Sequence, residues 1–369
     1  MSQLRVAVIG TGFMGAVHTR SARAAGADVV GIVGSTPRKG RDAAERFGAG
    51  RGFDSVEDVL RAGVDVVHVC TPNASHARFA RAALTAGVPV VCEKPLATDA
   101  ATARELHELA TERELVTAVP FVYRYYASVR EARLRLARPG QRPPWLLHGS
   151  YLQDWLADPD TGNWRVDPAD GGATRAFGDI GVHWCDLAEF VTGQRITQVS
   201  ATFARTAATR PAADGTPRPV ATEDGAVVQL RTDSGAVGSV VVSQASAGYK
   251  NALSFSFDGP DASFAFHQET PESLWIGGRD GARVVVRDPD RADSPVGRSA
   301  ALPAGHPQGY YECFADFVAD AHAAVRGTEA EGMPTFEDGV RAAHIAEAVV
   351  ASAQDGGWVD VKETAAQER

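Results

Sequence analysis

The turn Gly10-Thr11-Gly12-Phe13-Met14-Gly15 follows the apolar run Leu4–Ile9 and leads into a helical pattern starting at Met14. A GxGxxG alone is a weak signal, but between a strand and a helix it is a phosphate cradle. Gly10 allows the tight turn, Gly12 lets the backbone approach a pyrophosphate, and Gly15 lets the helix lie close to the strand. The free N–H groups and the positive end of the helix dipole attract the phosphates. The expected ligand is a nicotinamide dinucleotide held against Gly10, Gly12, Phe13, Met14 and Gly15. The end of the second strand chooses its form. There the chain reads Gly34-Ser35-Thr36-Pro37-Arg38-Lys39, with no carboxylate for a ribose 2′-OH. Ser35 and Thr36 offer hydroxyls and Arg38 or Lys39 a cation to a 2′-phosphate, so NADP is favoured modestly over NAD. The alternative is that Arg38 and Lys39 are solvated charges at a helix start.

The elements that must hold this loop alternate. Strand-like runs at 4–9, 28–33, 64–70, 88–92 and 115–119 are separated by helical patterns at 14–25, 38–47, 56–61, 74–86 and 99–112. Most of these strands are nearly all apolar, which implies a parallel sheet covered on both faces, joined by right-handed crossovers. The expected architecture is α/β, an N-terminal Rossmann doubly wound sheet over residues 1–121. After a helix at 125–137 and a Pro/Gly break at 139–144, short strands separated by Gly, Asp and Pro run to about residue 286. Residues 122–369 are therefore expected to form an α+β domain with a mostly antiparallel sheet. Residues 206–220 read as a surface loop or hairpin, 287–308 as loop, 311–325 and 336–354 as helices, 358–361 as a last strand and 362–369 as a loose tail.

The 369 residues suit two domains, and 44% apolar with 22% charged residues is ordinary globular usage. Net charge is 37 − 46 = −9, with no basic run, which argues against a nucleic-acid partner. No signal-peptide pattern and no apolar run of about 20 residues is present, so no membrane partner and a cytoplasmic location are expected. Cys70, Cys92, Cys185 and Cys313 lie far apart, without metal spacing; reduced, buried thiols and no metal are expected.

Further signatures follow the glycine loop in order. Thr71-Pro72-Asn73 with His76 comes after one strand, Glu93-Lys94-Pro95 after the next, and Asp179-Ile180-Gly181-Val182-His183 in the second half. Together these motifs resemble the Gfo/Idh/MocA oxidoreductases over nearly the whole chain. Tyr151-Leu152-Gln153-Asp154-Trp155 and Asn163-Trp164-Arg165 look most like that family's levoglucosan and inositol dehydrogenase branch. The resemblance implies NAD(P)-dependent oxidation of a secondary alcohol on a sugar or cyclitol, or the reverse reduction. It also implies an open second-domain sheet that joins subunits into a homodimer or homotetramer. Carried over by motif, Lys94, Asp179 and His183 are the catalytic group, and Thr71, Pro72, Asn73, His76 and Glu93 lie on the cofactor side.

Those residue types suit the reaction. His183 is a natural base for a hydroxyl proton, since a histidine ordinarily titrates near pH 6.5. If 178–190 is helical, Asp179 shares its face and can orient the substrate hydroxyl or stabilise the imidazolium. Lys94 can stabilise a developing alkoxide, and a cis bond before or after it is open. Taken alone, His183 between Val182 and Trp184 reads as a core histidine; Asp179 and Lys94 turn the reading to catalysis. A metal site from Asp179, His183 and Asp186 is a poor fit. His18 reads as structural or near the cofactor. Tyr123, Arg124, Gln153, Trp155, Trp164 and Arg165 are expected at the substrate with Asp179 and His183, because sugars take polar groups over aromatic faces; each Trp is as readily core. Where the family often has Phe-Asn-Tyr-Arg, this chain has Phe121-Val122-Tyr123-Arg124. Arg175 and Phe177 are expected to tune which sugar fits. Two alternatives stay open: transient oxidation on bound dinucleotide within glycoside cleavage or epimerisation, and a non-catalytic sugar sensor.

Overall fold

The computed structural model describes residues 3–212, 214–290, 302–328 and 330–362. The chain falls into two compact units, Met1–Val122 with Tyr310–Val340 and Tyr123–Gly309 with Arg341–Arg369.

In the first unit, strands β1 (Arg5–Ile9), β2 (Asp28–Val33), β3 (Arg51–Phe53), β4 (Val66–Val69), β5 (Val90–Cys92) and β6 (Thr117–Ala118) alternate with helices. These helices are α1 (Phe13–Ala24), α2 (Pro37–Phe47), α3 (Val56–Arg61), α4 (His76–Thr85) and α5 (Ala100–Glu112). The sheet order is β3-β2-β1-β4-β5-β6, and every pairing is parallel. This is the doubly wound order, with the chain reversing direction across the sheet between β1 and β4. β4 and β5 are buried at every position, and apart from His68 in β4 their residues are apolar. β3 is the strand the sequence does not announce: Arg51-Gly52-Phe53 has no apolar run.

The second unit holds α6 (Ala127–Leu136), β7 (Leu146–Leu152), α7 (Pro168–Gly171), a π-turn over Phe177–Gly181 and α8 (Val182–Thr192). Then come β8 (Ile196–Ala204), β9 (Thr209–Pro211), β10 (Pro217–Pro219), β11 (Gly225–Thr232), β12 (Val237–Ser243), β13 (Ala252–Asp258), β14 (Ser263–His267), β15 (Ser273–Gly278) and β16 (Gly281–Val286). β7, β8 and β11 to β16 join β17 (Val359–Asp360) in a sheet ordered β16-β15-β14-β13-β7-β12-β11-β8-β17, antiparallel except where β12 runs beside β7. The region expected as a surface hairpin is the β9–β10 ribbon, whose Ala213 lies outside the described residues. The loop expected over 287–308 and the tail from 362 fall partly outside them too.

One face of this sheet is covered. α8 lies on β7 and β13, and α6 on β14 and β15. β11 therefore alternates buried and exposed residues, as a sheet with one covered face must. The open face keeps large apolar side chains in solvent, with Val227 opposite Val241 and Trp275 opposite Val284. α9 (Tyr310–Val325), which the sequence assigns to the second domain, belongs to the first unit. There the Arg20 guanidinium sits 3.9 Å over the Tyr311 ring and Phe314 meets His18. α10 (Phe336–Asp355) starts with the first unit and continues with the second.

The height of α8 above the sheet is set at Gly149 of β7. A Cβ there would overlap both the Ser254 carbonyl and the Trp184 indole. Trp184 is fully buried and its Nε1 donates to that carbonyl at 3.0 Å. Gly149→Ala must lift the indole or the strand. The expected cost is about 1–3 kcal/mol, the usual range for overpacking. A thermal melt followed by near-UV circular dichroism checks it: an unchanged Tm and Trp signal would contradict this packing.

Candidate active site

The glycine loop is built as the sequence requires. Gly10 has φ 134°, and a Cβ on it would overlap the Cys70 carbonyl; one on Gly15 would overlap the Gly10 carbonyl. The loop is pinned where Gly10 donates to the Val33 carbonyl at 2.9 Å and Arg46 donates to the Thr11 carbonyl at 2.8 Å. Above Gly12 the space is open, and no side chain caps α1. The first turn of α1 thus has backbone donors to give an anion. A dinucleotide pyrophosphate fits this cradle. Met14 is half-buried and Phe13 is 74% exposed.

After β2, Thr36 caps α2 by accepting from the Lys39 N–H, and Lys39 Nζ donates to Ser35 Oγ at 3.2 Å. Arg38 is solvent-facing and pairs with Asp42 at 3.6 Å. No carboxylate lies between Gly34 and Lys39, although Asp42 balances Arg38 one turn on.

The loops after β4 and β5 are stitched together. His76 Nδ1 lies 2.7 Å from the Pro95 carbonyl and His76 Nε2 2.7 Å from the Thr71 carbonyl. His76, expected on the cofactor side, is a buried clasp between the Thr71-Pro72-Asn73 and Glu93-Lys94-Pro95 loops. Burial pulls its pKa down, while the two carbonyls and Glu93 push it up. The Lys94–Pro95 bond is cis. Glu93 is buried as well: His18 Nε2 lies 3.1 Å from its Oε1, and the Lys94 N–H donates to its Oε2 at 3.1 Å. Burial alone would raise the Glu93 pKa. The His18 hydrogen bond, helped by the Lys94 charge, outweighs it and holds the carboxyl below its usual value.

In the second unit, the π-turn replaces the first turn of the helix expected at 178–190. Gly181 makes it possible, since a Cβ there would overlap the Phe177 ring. Glu223 anchors the start. Its carboxylate accepts from the Thr174 hydroxyl at 2.6 Å and from the backbone N–H groups of Arg175 and Phe177 at 3.0 and 2.9 Å. Asp179 is then gripped by Gln244, which donates to Oδ2 at 2.7 Å, with Arg165 3.7 Å from Oδ1. His183 is buried, its ring edge-on to Tyr123 at 5.0 Å.

A polar chain runs beside it. Tyr151 Oη and Gln153 Nε2 both donate to Asn251 Oδ1, at 2.7 and 2.8 Å. Asn251 Nδ2 donates to Tyr123 Oη at 3.3 Å, Tyr123 and Tyr151 share a short hydrogen bond, and Trp155 Nε1 donates to Gln153 Oε1 at 2.9 Å. Gln153, Trp155, Trp164 and Arg165 are half-buried, with the Arg165 guanidinium 4.4 Å over the Trp164 ring. Arg124, expected at the substrate, is buried and bidentate on Asp186 of α8. Arg175 and Phe177 are corrected more firmly. Both are buried, and Arg175 is bound to Asp224 and to the Glu223 carbonyl, so they carry the helix start rather than tune a sugar.

Several residues escaped the sequence. Gln244, Glu223 and Asn251 act on partners 65, 46 and 100 positions away, and no spacing rule links them. His68 and His322, two more buried histidines joined to His18, carried no local signal either.

Residues 4–121 match the profile of an oxidoreductase family with an NAD-binding Rossmann fold, and residues 143–265 the GFO/IDH/MocA C-terminal domain. The chain is 30% identical to levoglucosan dehydrogenase of Pseudarthrobacter phenanthrenivorans, over 99% of this chain and 100% of that protein. It is 38% identical to an inositol 2-dehydrogenase of Saccharopolyspora erythraea over 39% of this chain and 44% of the relative. A levoglucosan dehydrogenase structure in complex with NADH and levoglucosan superposes with a TM-score of 0.90 at 29% identity, covering 98% of this chain and 100% of that one.

The buried histidines make the first unit acid-sensitive. Burial first, then Arg326 and His18, lowers the His322 pKa from 6.5 to about 4. The folded form therefore binds fewer protons than the unfolded chain between those values. The stability this histidine contributes is complete above about pH 6.5 and is lost as pH falls toward 4, by about 3 kcal/mol over the window. Denaturant melts from pH 7 to 4 are expected to show this slope, and His322→Leu to flatten it; an equal slope in both would refute the assignment.

Proposed function

Because the chain belongs to the Gfo/Idh/MocA family of NAD-binding oxidoreductases, we propose that it dehydrogenates a secondary alcohol of a sugar, glycoside or inositol, or runs the reverse reduction. The observation that carries this is the Asp179–His183 pair at the start of α8, with Asp179 gripped by Gln244 and Arg165. His183 takes the hydroxyl proton of the substrate. Asp179, held on both oxygens, orients that hydroxyl and balances the imidazolium. The Lys94 ammonium stabilises negative charge developing on the reacting oxygen. Tyr123, Gln153, Trp155, Trp164 and Arg165 bind the polyol, and Arg124 steadies α8 through Asp186.

Gly10, Gly12, Phe13, Met14 and Gly15, with Thr71, Pro72 and Asn73, would hold the dinucleotide; Glu93 and His76 act behind them. When bound, it supplies the two-electron acceptor or donor. The finer reading is NADP over NAD, supported by Ser35, Thr36, Arg38 and Lys39 with no acid among them. The open face of the second sheet, with Val227, Val241, Trp275 and Val284 in solvent, supports a homodimer or homotetramer joined there. Among the described residues no helix is long and apolar enough to cross a membrane.

The test is a panel of pyranoses, glycosides and inositols, each with NAD and NADP, followed by nicotinamide absorbance. Net turnover is expected with at least one polyol, faster with NADP; turnover with NAD alone would remove the finer cofactor reading. Lys94→Ala is expected to lower kcat by about 10²–10³-fold, the usual loss of one stabilising donor. Wild-type kcat in that variant would overturn the assigned role.

A further inference from the structure

We propose that His18, His68 and His322 are positioning residues, a one-way chain of hydrogen bonds that orients Glu93 and through it fixes Lys94. The inference rests on the reading of Lys94 as a catalytic group.

The chain lies wholly within the first unit. His322 Nε2 faces His68 Nε2 at 3.1 Å, His68 Nδ1 faces His18 Nδ1 at 2.9 Å, and His18 Nε2 faces Glu93 Oε1 at 3.1 Å. All three rings are buried. Among the described residues no group of three or more side chains is arranged to hold a metal ion, and these spacings lie in the hydrogen-bond range.

Donors and acceptors then follow from one end. An ionised Glu93 only accepts, so His18 Nε2 carries the proton. If His18 is neutral, its Nδ1 is bare and accepts from His68 Nδ1–H. His68 Nε2 is then bare and accepts from His322 Nε2–H. Burial holds His68 and His322 well below the ordinary histidine value, which keeps both neutral. Reversing the polarity would aim a lone pair of a neutral His18 at the Glu93 carboxylate or, with His18 protonated, bury an unpartnered Nδ1–H on His322. The far end agrees: His322 Nδ1 is buried with no hydrogen-bond partner. One arrangement of protons therefore satisfies the chain, and it places His68 in the Nδ1–H form.

The function of such a chain is to remove freedom. A single histidine beside Glu93 could turn either nitrogen toward it. Three in series lock the ring, as the buried acid of a catalytic triad locks its imidazole. Glu93 passes the constraint on by accepting the Lys94 N–H, and His76 holds the next carbonyl at Pro95. The groups facing the chain are Phe314 from α9, Arg326 toward His322, and Lys94, His76, Cys70 and Cys92 around Glu93.

Two measurements decide it. Nitrogen-15 spectra of the histidine rings in the full-length protein should show His68 as Nδ1–H, with His18 and His322 as Nε2–H. His68 found as Nε2–H overturns the proposal whether or not any variant folds. His18→Leu should lower kcat about 10–100-fold, as a misplaced catalytic group does, with KM for the polyol within about threefold. His18→Gln, which keeps a donor toward Glu93 and an acceptor toward His68, should restore most of the loss. If Lys94→Ala abolishes turnover while His18→Leu leaves kcat at the wild-type value, the chain is merely structural and the proposal fails. If Lys94→Ala is without effect, the reading of Lys94 fails first, and the positioning role falls with it.

Discussion

A carboxylate taken out of water must have its oxygens hydrogen-bonded, or it will not stay charged. Much of this molecule is arranged around that demand. Glu93 meets it with an imidazole and a backbone N–H, Glu223 with a hydroxyl and the N–H groups at a helix start, and Asp186 with the fork of Arg124. Glu189 meets it with Arg341, Arg195 and the Ile196 N–H. Each of these anions sits at or next to a segment that carries a candidate reacting group. Removing the partner of any one would leave a buried charge uncompensated, a far larger penalty than the loss of a surface pair.

This arrangement separates rigidity from chemistry. Lys94 lies in a turn held by Glu93 and His76, and His183 lies near the start of a helix held by Glu223 and Arg124, so these holds are polar. The apolar cores do a different task. β4 and β5 fix the floor of the first unit, and the Phe255–Phe257 stack with Trp184 fixes the second. Apolar packing fixes volume and spacing without a directional bond, whereas a bidentate or capped anion specifies direction as well as distance.

What the sequence made legible follows the same division. Runs such as Val66–Val69 and the glycine loop carry their structure locally, so the parallel sheet and its phosphate cradle could be read along the chain. The candidate reacting residues Lys94, Asp179 and His183 could be singled out because each lies in a short motif. Their supports were not. Glu223 lies 46 positions from Phe177, and His322 lies 254 from His68; only the finished fold makes them neighbours. Arg175 shows how that misleads: an arginine near a substrate motif looks like a recognition group until the fold buries it against Asp224. The assignment of α9 erred for a related reason, since a chain that returns to its first unit late leaves no mark in local pattern.

The missing side chain at Gly149 bears on how this scaffold can be re-aimed. Because Trp184 sits against bare backbone there, α8 has no slack to move toward or away from the sheet. Directed evolution toward a bulkier or smaller polyol should therefore find few productive changes on that helix. The stretch from Gln153 to Arg165, short of regular structure and with Gln153, Trp155, Trp164 and Arg165 half-buried, is where a library has room to work.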